Sequence, residues 1–548
     1  MKRLSLFIIG TMVLSGCSAA PFGNGTAMQH GNGMMHGEGG MMHGEGGMMQ
    51  GSGDSNFLPG QNVDIASLPE AMPTEVMEIR DGQTITLTPT LVRSSIRGKS
   101  VAMYGYNGQI PGPLLKTTQG SRFTVRVKNS IDRPTSVHWH GLRLENKNDG
   151  AVGMTQEAIE PGDSFTYTID VPDEGIYWYH THVREDVQQP MGLYGGILVT
   201  PSSKDAYASV DDESILMLND MLLDSEGLPV PYGNDGADHT LMGRFGNMFI
   251  VNNVETPVFD VALGSVHRYY VVNASNTRTY RIVAPPKGRM KLVGGDGGRY
   301  EREEFARSVT ISPSERLIVE IEFVDDEVSR GAVASKVVPI VVAGTPRDPT
   351  TVLSADIVGG KYSTSETFGV LRTNDDVIRS IDPFRKSFDK DIDHTLVLDM
   401  GAKGGMNHGG MMMGHLPADG IEWEDNGMSA MPMADALQWK LVDEETGDAN
   451  EKLTYVTKVG DVLKIRIVNK KDSMHPMQHP IHFHGQRFLV LSDDGVATKN
   501  FVWKDTVLVP AGHTVDILVD VSNPGDWMFH CHIAEHLSSG MMGLLRVR

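Results

Sequence analysis

The chain has 548 residues, enough for two to four domains with cores of their own, and an apolar share of 40% that is ordinary for a water-exposed fold. Its formal net charge of −21 excludes a nucleic-acid partner, because a phosphate-binding surface needs clustered Lys and Arg. Only two cysteines occur, Cys17 and Cys531, and each has a better explanation than a disulfide.

Lys2 and Arg3 precede an apolar stretch from Leu4 to Leu14, too short to span a bilayer comfortably and readable as a secretory signal. The stretch runs into Leu14, Ser15, Gly16, Cys17, which resembles a bacterial lipobox. Residues 1–17 are therefore expected to be a lipoprotein signal peptide, and Cys17 the lipidated N-terminus. The membrane is then touched through a lipid anchor only. Ser18 after that cysteine fits the periplasmic face of an outer membrane, or the cell surface.

Residues 18–60 are expected to be a disordered tether. They are mostly Gly, Met and His, with Met34 to Gly40 repeated from Met41 to Gly47, and such a composition builds no core. About 40 flexible residues reach roughly 35 Å. A spacer does not need paired methionines, however, and thioethers with imidazoles suit Cu(I) or similar soft ions.

Farther on, apolar and polar residues alternate in short runs bounded by Gly, Pro, Asn and Asp, as in Phe123 to Val127, Phe165 to Val171, Leu317 to Phe323 and Leu463 to Val468. The pattern predicts antiparallel β-sandwiches. The two ends of this region echo one another. Phe123 to Asn129 precedes His138, Trp139, His140, Gly141, as Leu463 to Asn469 precedes His482, Phe483, His484, Gly485; Gly175 to His182 parallels Gly525 to His532. Three domains follow: 61–203, 204–389 with a linker, and 390–548. The first and third are duplicates, and the middle one lacks a His-X-His pair.

The densest chemistry is the run Trp527 to His536 with Met541 beyond it. On a strand, the Cys531 sulfur faces one way and His530 and His532 the other, so one segment can touch two metal centres. Cys531, His536, Met541 and His479, which lies three residues before His482, form the thiolate, imidazole and thioether set of a mononuclear electron-transfer copper. The pairs His138 with His140, His180 with His182, His482 with His484 and His530 with His532 could bring eight imidazoles to one interface. A catalytic zinc takes three protein ligands and needs no such number.

These segments, together with Tyr106 to Pro113, resemble the three-domain bacterial multicopper oxidases, laccase-like enzymes and the copper-tolerance branch among them. The resemblance implies an all-β fold of three cupredoxin-like Greek-key β-sandwich domains holding four copper ions: one type 1, one type 2 and a type 3 pair. By position, His479, Cys531, His536 and Met541 would be the type 1 ligands, and His138 and His482 the type 2 ligands. His140, His180, His182, His484, His530 and His532 would hold the type 3 pair. Electrons would pass through Cys531 to its neighbours His530 and His532, and four of them would reduce O2 to water. Asp149 matches an acid that the family places near the type 2 copper; a turn aspartate before Gly150 is the plainer reading. Where several bacterial relatives carry a second acid this chain has Leu537, with Glu535 nearby.

Within that family the chain resembles most the copper-tolerance branch, whose members oxidise Cu(I) to Cu(II) outside the cytoplasm, and this is the oxidation the resemblance implies. A Met-rich loop, residues 404–433, includes Met411, Met412 and Met413. Met474, His475 and Met477 precede His479; Met477 aligns with a methionine of the substrate-copper site of cuprous oxidases, His475 falls where that site has an aspartate, and Asp472 is a substitute for it. Oxidation of small phenols or aromatic amines is the alternative, and a surface copper-sequestering lipoprotein the alternative of another class. An axial Met541 implies a moderate type 1 potential. The expected state is a monomer.

Overall fold

The computed structural model describes residues 55–234, 237–359, 367–402, 418–425 and 437–548. Cys17, the tether up to residue 54, and Met411, Met412 and Met413 lie outside the described residues. Among the described residues nearly every regular element is a strand. The strand Arg122–Lys128 shows why: it buries Phe123, Val125 and Val127 and turns the residues between them outward.

Three pairs of sheets follow in chain order. In the first, a five-stranded sheet ordered Val76–Glu78, Gly112–Thr118, Tyr194–Thr200, Gly175–His180, His138–His140 shares a core with the three-stranded sheet Thr84–Leu87, Arg122–Lys128, Ser164–Asp170. The second pairs a seven-stranded with a five-stranded sheet over residues 212–358, and the third a six-stranded with a five-stranded sheet over residues 394–547. Each pair encloses its own apolar cluster.

The sheets are mixed, which corrects the expectation of antiparallel pairing throughout. Gly112–Thr118 runs parallel to both Val76–Glu78 and Tyr194–Thr200, and Thr454–Thr457 runs parallel to Met542–Val547. In Greek-key connectivity the chain crosses between layers, so sheet neighbours are seldom chain neighbours. The direction of re-entry is then a property of the long connection, which local alternation does not encode. The tether expectation also needs correction at its end. Ser55–Phe57 pairs with Tyr232–Gly233, and Phe57 is buried in the first core beneath the Arg133 guanidinium, because an aromatic ring gains more from that core than from water.

The duplication extends to the register. His138 stands opposite His180 in the first domain, and His482 opposite His530 in the third. Gly175 and Gly525, at equivalent positions, open the two inner histidine strands at φ +142° and +141°. Both lie where a neighbouring domain comes close: a Cβ on Gly175 would sit 2.9 Å from the Gly298 nitrogen, and one on Gly525 2.5 Å from the Asn146 side chain. Asn146 itself donates to the Asp526 carbonyl at 2.7 Å, and Asn523 donates to the Leu144 carbonyl at 2.8 Å, so the first and third domains are stitched together beside their histidines. The same face of the first domain's histidine sheet packs Ile176 and Trp178 against Ile215, Met217 and Ile318 of the middle domain, with Trp178 stacked on His180 at 4.2 Å.

Gly525→Ala combines an unfavourable backbone angle with a clash against the first domain. It is expected to destabilise the protein by about 2 kcal/mol or more and to lower its melting temperature; an unchanged melting temperature would show that the contact yields freely.

Candidate metal centre

The strand His479–Phe483 lies between Gly525–Cys531 and Thr506–Val509, and this placement builds two sites on opposite faces of one sheet. On the core side, the Cys531 sulfur is 3.5 Å from His479 Nδ1 and 3.6 Å from His536 Nδ1, and the two nitrogens are 3.3 Å apart. All three residues are buried. Met541 is fully buried in the same cluster; its carbonyl accepts from the Cys531 amide at 3.1 Å, and its own amide donates to the His536 carbonyl at 3.1 Å. Burial pushes the Cys531 thiol far up, so a bound cation is what would hold it as a thiolate. A small triangle of sulfur and two imidazole nitrogens beside a buried methionine suits a mononuclear copper.

The other face meets the first domain, and the eight paired histidines converge there, all buried or nearly so. Their hydrogen bonds decide which nitrogens carry protons. Nδ1–H of His138 donates to the Asp149 carbonyl at 2.8 Å, that of His180 to the Thr181 carbonyl at 2.7 Å, and that of His482 to the Asp505 carbonyl at 2.9 Å. His182 Nδ1 lies 3.2 Å from Glu185 Oε1. In each of the four, Nε2 has no partner, so it is a buried lone pair. His140 is reversed: its Nε2 is 3.1 Å from both Asp505 Oδ1 and the Thr506 hydroxyl, and Nδ1 is left bare.

His484 and His530 supply the decisive geometry. His484 Nδ1–H donates to Asp149 Oδ2 at 2.8 Å and His530 Nδ1–H to the Cys531 carbonyl at 2.9 Å, so both Nε2 atoms are unprotonated, yet they face one another at 3.0 Å. Two lone pairs at that distance in a buried interface repel unless they share a cation. The donors group into sets whose atoms lie within 4.8 Å of one another: His182, His484 and His530; His138, His140 and His180; His138, His482 and His484. The His532 ring stands 5.0 Å from His140 and 5.1 Å from His180, with both its nitrogens unpartnered. The donor set therefore fits several metal ions held close together.

Three carboxyl groups frame the imidazoles. Asp149 is buried and bonded to His138 and His484 at once; burial alone would raise it, but these two rings hold it well below the usual carboxylate range. Asp505 and Glu185 were not apparent from sequence. Asp505 sits between Lys504 and Thr506, where a charged pair leading into an apolar strand was the available signal. Glu185 is raised by burial first and then by Asp186. Glu535 turns away from the cluster toward Asn276 and Thr277 of the middle domain, at 3.5 and 3.4 Å, and its carboxyl is pushed up to about 8 by burial and by Asp186. Of the residues before His479, His475 and Met477 are buried, Met474 is half-buried against the third core, and Asp472 is exposed.

Burial, reinforced by neighbouring rings, holds His182 and His479 down at about 3, and it lowers His140, His180, His484, His530, His532 and His536 as well. In the unfolded chain these rings titrate near about 6.5. The stability due to keeping them neutral is thus complete above that value and is lost as pH falls through it toward the folded-state values. Copper-free protein should lose up to about 1.4 kcal/mol per pH unit for each such ring below about pH 6.5. Denaturant unfolding of the stripped protein checks this, and a midpoint indifferent to pH over that range would contradict it.

Two family models described as multicopper oxidase match residues 90–204 and 424–548, the segments that hold the eight paired histidines and Cys531. Similar proteins include multicopper oxidase MmcO of Mycobacterium tuberculosis, 27% identical with 84% of this chain and 86% of that protein covered, and multicopper oxidase mco of Staphylococcus aureus, 26% identical over 81% and 83%. Copper resistance protein A of Escherichia coli is 24% identical over 84% and 92%. Among solved structures, a multicopper oxidase from Campylobacter jejuni covers 90% of this chain and 99% of its own at a TM-score of 0.64 and 22% identity, a likeness of fold. Two matching end domains, four histidine pairs turned inward and a buried cysteine between two imidazoles leave one conclusion: the chain belongs to the multicopper oxidases, oxygen-dependent oxidoreductases that bind one type 1, one type 2 and two type 3 copper ions.

Proposed function

We propose that this oxidase takes its electrons from Cu(I), converting four Cu(I) and O2, with four protons, into four Cu(II) and two water molecules. His479, Cys531, His536 and Met541 hold the type 1 ion, and His138 and His482 the type 2 ion. His140, His180 and His532 hold one type 3 ion, and His182, His484 and His530 the other. The bound coppers supply one-electron acceptance at one end and pooled four-electron delivery to O2 at the other. The chain's own part is connection and exclusion. Cys531 joins the two ends through its backbone, and its carbonyl accepts from the His530 ring at 2.9 Å, so sulfur and imidazole are linked by a few bonds and one short hydrogen bond.

The observation that carries the choice of substrate is His475. Its ring is 0% exposed, neither nitrogen has a partner, and burial holds it down at about 4, so it is a neutral ligand at neutral pH. Trp439 packs against it at 6.1 Å and against His479 and His536 at 4.6 and 4.4 Å, placing an idle buried imidazole one indole away from the type 1 ligands. With Met474 and Met477 beside it in sequence, this is soft-donor chemistry suited to Cu(I). The likeness to a protein named for copper resistance favours a role in handling copper.

Oxygen uptake by the copper-loaded enzyme should be fastest with Cu(I) when Cu(I), Fe(II) and a phenol are compared, and His475→Ala should cut the Cu(I) rate about tenfold or more while sparing the phenol. Fast phenol turnover with no Cu(I) turnover would support a laccase instead; uptake that stops at one equivalent per bound copper would indicate sequestration. Cys531→Ser is expected to remove the blue absorption and stop O2 reduction while the fold persists, read by visible and circular dichroism spectra. A blue, active variant would overturn the ligand assignment.

A further inference from the structure

The middle domain lacks a His-X-His pair, yet one of its residues reaches the cluster's frame. Arg316, which opens the strand Arg316–Glu322, is fully buried where the three domains meet. Its Nε donates to the Ile176 carbonyl at 3.2 Å, in the strand that carries His180. Nη1 donates to the Ser314 carbonyl at 3.0 Å and to Asp505 Oδ1 at 2.6 Å, and Nη2 donates to Asp505 Oδ2. The guanidinium and carboxylate thus meet as two parallel forks, the geometry that fixes the plane of a carboxylate as well as its charge.

Asp505 hands that constraint on. Its Oδ1 accepts from His140 Nε2 at 3.1 Å and lies 3.5 Å from His482 Nδ1, and the Thr506 hydroxyl, which donates to the same oxygen at 2.9 Å, touches both rings at 3.1 and 3.2 Å. His140 alone among the paired histidines has Nε2 engaged and Nδ1 bare, and this is the contact that makes it so. Gly141 shows how tightly the ion pair is set against the histidine backbone. At φ +84°, a Cβ there would sit 2.5 Å from Asp505 Oδ2 and 2.7 Å from Arg316 Nη2.

We propose that Arg316 is a positioning residue of the three-copper site: from the ligand-free middle domain it clamps Asp505, which holds His140 with Nδ1 toward the metals and steadies His482. The inference rests on His140 and His482 being ligands, as proposed above. Partners of metal-bound histidines set ring orientation and donor strength, and their loss typically weakens metal affinity by about 10- to 100-fold.

The test compares Arg316→Gln, Arg316→Lys, Asp505→Asn and the double variant Arg316→Gln/Asp505→Asn, with His482→Gln as control. The readouts are copper retained against a chelator, the type 2 electron paramagnetic resonance signal and the blue type 1 band. Arg316→Gln should stay blue but lose the type 2 signal and retain the type 3 pair about 10- to 100-fold less tightly. Arg316→Lys should fall between it and the parent, and the double variant should be no worse than the worse single one, because both act through one contact. If Arg316→Gln does not fold, Arg316→Lys carries the test by the same selective loss. Full retention with a parental type 2 signal, equal loss of blue and type 2 copper, or additive losses in the double variant would overturn the role. If His482→Gln keeps its type 2 signal, the ligand assignment fails, whatever Arg316 does.

Discussion

The interface between the first and third domains is built around imidazole lone pairs that have nothing in the protein to bond to. Each cluster ring except His532 spends one nitrogen on a fixed partner and turns the other inward, and His484 and His530 bring two bare nitrogens to 3.0 Å. Left alone, such an arrangement is costly, since buried acceptors without donors forfeit their hydration. Cations between them would relieve that cost and tie the first domain to the third. Metal binding would therefore reinforce the contact between these domains, and the low proton affinity of these rings follows from the same burial.

Strand geometry joins this cluster to the mononuclear site. Because Cys531 ends a strand on which His530 is the preceding residue, sulfur and imidazole face opposite sides of one sheet. The hydrogen bond from the His530 ring to the Cys531 carbonyl shortens the route between them. His479 and His482 repeat the arrangement on the neighbouring strand, one serving each side. Two sites on opposite faces can be tuned separately, the sulfur side by apolar packing with Trp439 and Met541 and the cluster side by carboxylates.

Those carboxylates divide the work. Asp149 serves the rings from the first domain, Asp505 from the third, and Glu185 touches His182 beside the helix Ala534–Ser538. Leu537 thus does not leave the cluster without buried acids in contact with its rings. The middle domain supplies Asn276 and Thr277 to Glu535 and Arg316 to Asp505, so a unit without histidine pairs still shapes the polar surroundings of the metals.

Much of this was legible in the chain itself, for a physical reason. Strand alternation is local, so His-X-His pairs and a cysteine between histidines announce which face each side chain takes, and the duplicated motifs announce that two such units exist. The all-β class and the converging histidines follow from that periodicity of two. What it could not encode is the meeting of distant segments: the parallel pairings made by layer-crossing connections, the return of Ser55–Phe57 to the first core, and above all His140 held by Asp505, a residue 365 positions away, which Arg316 in turn clamps. Periodicity determined which residues could bind metal. A tautomer is set by the partner of the other nitrogen: for His180 and His530 that partner is the next residue's carbonyl, but only the packing of the first domain against the third decided which nitrogen His140 and His484 would offer, because Asp505 and Asp149 lie hundreds of residues away.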